Sequence, residues 1–179
     1  VILLSTFSFY LESKEKKKIL LSENYIQARV YLEIGDKNKA TDILKKLIFT
    51  NDSTYSTLAF FLVLNQNLIT DYKEISNLFE HLLANNKFEK ELKNLLIYKK
   101  ALFDSNFIDE SELLETTKPL LTSESLWKPH TLLLLGDYFL SKREYLKAKE
   151  FYMQILNMKN LQKDFYDQAA SQLIFITNE

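Results

Sequence analysis

Residues 132–152 read LLLLGDYFLSKREYLKAKEFY, and the role given to Gly136 within them decides the fold. Glycine in a helix interior costs about 1 kcal/mol relative to alanine. A chain with two glycines in 179 residues therefore has a packing reason to keep one there. Leu132, Leu135 and Phe139 recur around it at helical spacing, and Ala148, Tyr152 and Ile155 form a second stripe beyond a polar break at residues 141–144. Two amphipathic helices joined by a short turn are expected, with the small residues at 136 and 148 letting them approach closely.

The same pattern occurs upstream. Gly35 and Asp36 interrupt a helical stripe that resumes at Ala40, Leu44 and Leu47, and Ala28 and Tyr31 fall where Gly136 and Phe139 fall in the later hairpin. Ala40 and Ala148 lie 108 residues apart, which is three periods of 36. Between them lie STYSTLAFFLVLNQ followed by DYKEISNLFEHLLAN, and ELKNLLIYKKALF followed by DESELLETTKPLL; DFYDQAASQLIFI closes the chain. Pro129 suits a first helical turn, where its missing N–H has no intrahelical partner to lose. No glycine- or proline-rich linker separates the segments.

A period near 34 residues, with a small residue at position eight, an aromatic at eleven and alanine at twenty, resembles the tetratricopeptide repeat. The central units match it less well: Ala59 serves as a position eight, and ESELLETTKPLL has no clear alanine. The expected fold class is all-α, a tetratricopeptide-like helical-hairpin solenoid of about four hairpins plus a C-terminal capping helix.

Composition narrows the partners. The chain is 46% hydrophobic and 26% charged, with 23 basic and 24 acidic residues and a net charge of −1. Only Arg29 and Arg143 are arginine, so the planar fork that commonly grips phosphates and base edges is nearly missing, and nucleic acid is not an expected partner. The many Lys, Asn, Ile, Phe and Tyr residues fit an AT-rich genome. Without cysteine, disulfides, cysteine-type zinc sites and thiol catalysis are excluded.

Residues 1–11, VILLSTFSFYL, carry no charge and give way to ESKEKKKILL. That run is about half of the roughly 20 apolar residues a membrane-spanning helix needs. Residues 1–13 read as the end of an N-terminal transmembrane anchor and residues 14–179 as the helical repeat domain; a buried first helix and a signal-peptide remnant are the alternatives.

No chemistry-bearing constellation stands out. His81 and His130 fall in different repeats without a second set of ligands at metal spacing. The mixed charges from Lys142 to Lys149 have the pattern of a solvated helix face. There is no phosphate loop, catalytic triad or paired-acid pattern, so no catalytic residue, metal or cofactor is expected. Trp127, the sole tryptophan, precedes a helix start and reads as a cover for the seam between neighbouring repeats, with a contact to a partner as the alternative.

The remaining candidate site is the concave surface, which in arrays of this type is lined by the first helix of each hairpin. In the early repeat this places Tyr25, Ile26, Arg29, Leu32 and Glu33 inward, and in the late one His130, Leu133, Leu134, Asp137, Leu140 and Ser141. Apolar and charged side chains mixed in this way suit an extended or helical segment of another protein.

The apolar N-terminal segment, YLEIGDKNKATDILKKL, SLWKP, the 132–155 hairpin and the closing QAASQLIFI together resemble the tetratricopeptide-like domain of the ancillary Sec translocon subunit family of bacteria. The resemblance implies a non-catalytic protein-binding scaffold in the inner membrane, single-pass, with the repeat domain in the periplasm. Its implied partners are translocon components and periplasmic chaperones. Lys14, Lys16, Lys17 and Lys18 depart from this topology, because a basic flank favours the cytoplasmic side. The alternative function is a structural accessory subunit of another large membrane complex.

Overall fold

The computed structural model describes residues 2–122 and 124–178, with side chains from residue 11 onward. Those residues form nine helices and no strand: α1 (Ile2–Glu33), α2 (Lys37–Ile48), α3 (Tyr55–Asn65), α4 (Tyr72–Asn85), α5 (Lys90–Asp104), α6 (Glu110–Thr122), α7 (Lys128–Ser141), α8 (Tyr145–Leu156) and α9 (Lys163–Thr177). Within each unit neighbouring helices pack against each other, so the protein is all-α with a helical-hairpin fold. The chain divides into two compact units, Val1–Phe88 and Glu89–Glu179.

In the first unit α1 packs on α2, and α2 on α3. α1 runs on through the lysine-rich stretch. Residues 11–20 are all exposed, and burial begins only at Leu21. This part is helical through the propensity of its Lys, Glu and Leu residues and pairs such as Glu12–Lys16 at 2.7 Å, without help from a packed face. The segment read as the end of an anchor falls mostly on residues 1–10, outside those whose side chains are described. No helix among the described residues is long and apolar enough to cross a membrane.

Three hairpin turns share one construction. Gly35 (φ +83°), Asn67 (φ +50°) and Arg143 (φ +61°) each take the left-handed conformation just past a helix end. The next N–H folds back to a carbonyl five residues earlier: Asp36 to Tyr31 at 2.8 Å, Leu68 to Val63 at 3.1 Å and Glu144 to Phe139 at 2.9 Å. This satisfies carbonyls that the helix leaves open. Asp36 and Asp71 cap the helices after the first two of these turns and Asp109 caps α6, each accepting from the backbone N–H three residues on, at 3.1, 2.7 and 2.9 Å.

The close approach at Gly136 is confirmed, and its partner is Tyr152. A Cβ at 136 would run into the Tyr152 ring, which is fully buried and whose hydroxyl donates to Asp137 Oδ1 at 2.6 Å. The corresponding pair 108 residues earlier is Ala28 with Leu44, both fully buried. Glycine and tyrosine hold these register positions in one hairpin, and alanine and the smaller leucine hold them in the other. Ala40 and Ala148 are also fully buried, as the repeat register requires.

The second unit gathers α5–α9 around Leu113, Leu132, Leu135, Phe139, Tyr152 and Ile155. One feature departs from the expectation that mixed charges lie on solvated faces. Lys100 and Asp104, one turn apart on α5, form a buried ion pair at 2.6 Å with Asp104 fully inaccessible.

The loop before α7 is fastened to the first turn of α5. Glu91 accepts from Leu126 N–H at 3.1 Å and from the Ser125 hydroxyl at 3.3 Å through Oε2, while its backbone carbonyl accepts from Trp127 Nε1 at 3.1 Å. The buried Asn94 donates to Ser125 Oγ at 3.0 Å. Trp127 stacks on Tyr98 with ring centroids 5.5 Å apart, which places it over the junction of the α5–α6 and α7–α8 hairpins as the sequence suggested.

Candidate peptide-binding clefts

The odd-numbered helices line open clefts in both units. In the first unit Tyr25, Arg29, Leu32 and Glu33 of α1 border a cleft of about 460 Å³ together with Leu62 of α3 and Gln66 just past its end. All four belong to the set read from sequence. Spacing explains this: residues 25, 29 and 32 stand one turn apart on one face, and Leu62 and Gln66 repeat that step on the neighbouring helix.

The second unit holds a cleft of about 360 Å³ between α5, α7 and α9. α7 contributes His130, Leu133, Leu134 and Asp137. Two smaller hollows adjoin it: Leu134, Asp137 and Ser141 border one of about 240 Å³, and Leu133 and Asp137 border one of about 330 Å³ with Asp167 and Gln168. Asp137 thus stands where all three meet. Leu140 is placed differently from the expectation; it is half-buried against the core of the unit.

Several lining residues were missed in the sequence. Tyr98 and Leu102 come from α5, one turn apart; Gln162 precedes α9, whose Asp164, Phe165 and Gln168 complete the wall. A signal for α9 was available. Phe165, Gln168 and Gln172 each stand 35 residues after His130, Leu133 and Asp137, so the last helix repeats the groove register of α7.

Three rings, Tyr98, His130 and Phe165, line one end of the cleft, and Trp127 packs on two of them. His130 lies edge-on to Phe165 with centroids 4.8 Å apart and edge-on to Tyr98 at 5.6 Å, and it also contacts Trp127 at 5.0 Å. Its Nδ1 is buried without a hydrogen-bond partner. Burial pushes the imidazole below its ordinary pKa, the Leu126 backbone opposes this, and the positive charge of Lys99 adds to it. The ring is therefore held neutral near physiological pH. Tyr98 is pushed upward by burial and by the negative charge of Asp137. Tyr152 is pushed up strongly, by burial first and by its hydrogen bond to Asp137 second.

His81 occupies an unrelated setting in the first unit. Its Nε2 and Asn51 Oδ1 are 2.9 Å apart, and its ring meets Phe49 edge-on at 4.5 Å, so it fastens α4 to the α2–α3 loop. No group of three or more His, Cys, Asp or Glu side chains suited to a metal ion occurs among the described residues. The clefts thus offer aromatic and apolar walls with carboxylates, amides and hydroxyls at their rims, an arrangement fitted to hold a side chain or a chain segment. Compared with family models, curated proteins and solved structures, the chain matches none.

Proposed function

We propose that this chain is a non-catalytic scaffold that binds segments of other proteins in the clefts of its odd-numbered helices. The observation that carries the reading is the second-unit cleft, where half-buried apolar side chains lie beside the exposed carboxylate of Asp137. Its walls are helices with locked neighbours, so a bound segment loses its own freedom while the host loses little. The resemblance to the ancillary Sec translocon subunit family makes the secretion channel and periplasmic chaperones the partner classes to test, with a membrane tether at the N-terminus.

A photoreactive benzoylphenylalanine at Leu133 tests this in cells. Covalent adducts with a translocon component or chaperone, lost on Asp137→Arg, are expected. Adducts with no protein at all would overturn the scaffold reading.

A second reading, a structural accessory subunit of a membrane complex packed through its convex face, draws on α8. Leu146 is 82% exposed and Met153 42% exposed, and both border a shallow hollow with Lys149 and Gln154. Abundant adducts from position 146 with a stoichiometric partner, and none from 133, would favour it.

A further inference from the structure

We propose that the α5–α7–α9 cleft recognises a basic segment, with a lysine or arginine seated on Asp137 and an adjacent apolar residue on Leu133 and Leu134. This rests on the protein-binding reading above and names the chemistry of the partner.

The charges facing the cleft are one-sided. Asp137 stands at its centre, Asp164 on its α9 wall and Asp167 on the wall of the adjoining hollow, and no Lys or Arg lines either space. Lys99, whose charge reaches the His130 ring, is exposed on α5 and does not line the cleft, and the other nearby cations are directed elsewhere. Lys163 lies 3.9 Å from Asp167 in the first turn of α9, and Lys142 sits 5.5 Å from the centroid of the Tyr138 ring and borders only the hollow of about 240 Å³. An acidic segment would meet the carboxylates of Asp137 and Asp164, whereas a basic one would neutralise them.

Asp137 is also prepared for a cation. The Tyr152 hydroxyl fixes Oδ1 at 2.6 Å, which orients the carboxylate before any ligand arrives. A second oxygen, Oδ2, belongs to the same exposed side chain at the junction of the three hollows. Tyr98 and Phe165 supply ring surface along the path a long aliphatic stem would follow, and aromatic faces attract the ammonium or guanidinium at its end. Leu133 and Leu134 lie beside Asp137 on the same wall, so charge and apolar recognition are adjacent.

The test uses the full 179-residue chain and two fluorescein-labelled peptides, one of alternating leucine and lysine, the other of alternating leucine and glutamate, read by fluorescence anisotropy. Binding of the lysine peptide is expected, weakening with salt, and falling about tenfold in Asp137→Asn and Asp164→Asn, as loss of a charge-assisted contact predicts. Asn retains an acceptor for the Tyr152 hydroxyl, and Asp164 is exposed, so both variants should keep the wild-type circular dichroism and urea midpoint. Equal affinity for both peptides, or a lysine-peptide affinity unchanged in both variants, overturns the proposal. If the glutamate peptide alone binds and Leu133→Glu abolishes it, the basic specificity falls while the scaffold reading stands. If neither peptide binds, this proposal falls, and the crosslinking from Leu133 separately decides the scaffold reading.

Discussion

At the scale of single residues, the decisive pair is Gly136 and Tyr152. A methyl group at 136 would have to displace a ring that is fully buried and tethered through its hydroxyl. Gly136→Ala gains about 1 kcal/mol of helix propensity but should still destabilise the protein by about 1–3 kcal/mol through overpacking, with Gly136→Leu worse. Urea unfolding monitored by circular dichroism checks both, and Gly136→Ala combined with Tyr152→Leu, which copies the Ala28–Leu44 pair, should recover much of the loss. A neutral Gly136→Ala would contradict the close approach. Arg143 offers the opposite case. It holds φ +61° where the equivalent turn uses Gly35, and left-handed backbone strains a side-chain-bearing residue by about 1 kcal/mol. Arg143→Gly should raise the urea midpoint by an amount worth up to about 1 kcal/mol, after the greater freedom of glycine in the unfolded chain is deducted.

At the scale of elements, the second unit depends on how α7 and α9 meet α5. Glu91 fastens the loop before α7 through its side chain and its carbonyl, so Glu91→Ala should cost about 1–2 kcal/mol and raise hydrogen exchange at the amides of Leu126 and Trp127. Two titrations follow from the same packing. His130 has a folded pKa below its ordinary 6.5, so below that pH the unfolded chain binds a proton that the folded chain resists. Stability should fall on acidification from pH 7 to 5, and the fall should be smaller in His130→Phe. The charged groups around this ring are Lys99 on α5, Asp137 on α7 and Asp164 on α9, so the comparison between wild type and variant isolates its share. Tyr152 has the reverse sign. Its folded pKa lies far above the ordinary 10.0, so above pH 10 the unfolded chain loses a proton that the folded chain keeps, and stability falls as pH rises. Tyr152→Phe should remove part of that alkaline slope, which pH-dependent urea midpoints would record.

At the scale of the whole molecule, each unit buries its own side chains, Leu44, Phe60 and Leu82 in the first and Leu113, Leu132 and Tyr152 in the second. Hydrogen exchange in Gly136→Ala should therefore speed up most across α5–α9. Helix number and the spacing of the groove face were legible in the chain because both are periodic and local: Tyr25, Arg29 and Leu32 follow each other by one turn, as do His130, Leu133 and Asp137. The helical course of residues 11–20 was not, because a run of lysines carries no packing signal, and the helix there rests on propensity. Nor was the buried Lys100–Asp104 pair, since a one-turn spacing of opposite charges has the same pattern on a wet face as on a dry one. The sequence by itself determined an all-α hairpin fold and the residues at which two helices touch, since close approach demands small side chains at fixed intervals. That Tyr152 is what Gly136 makes room for, that Leu140 turns to the core, and that Tyr98 and Phe165 join Asp137 in one cleft emerged with the packed helices. Those outcomes depend on which helices become neighbours across long stretches of chain, and no local period encodes that.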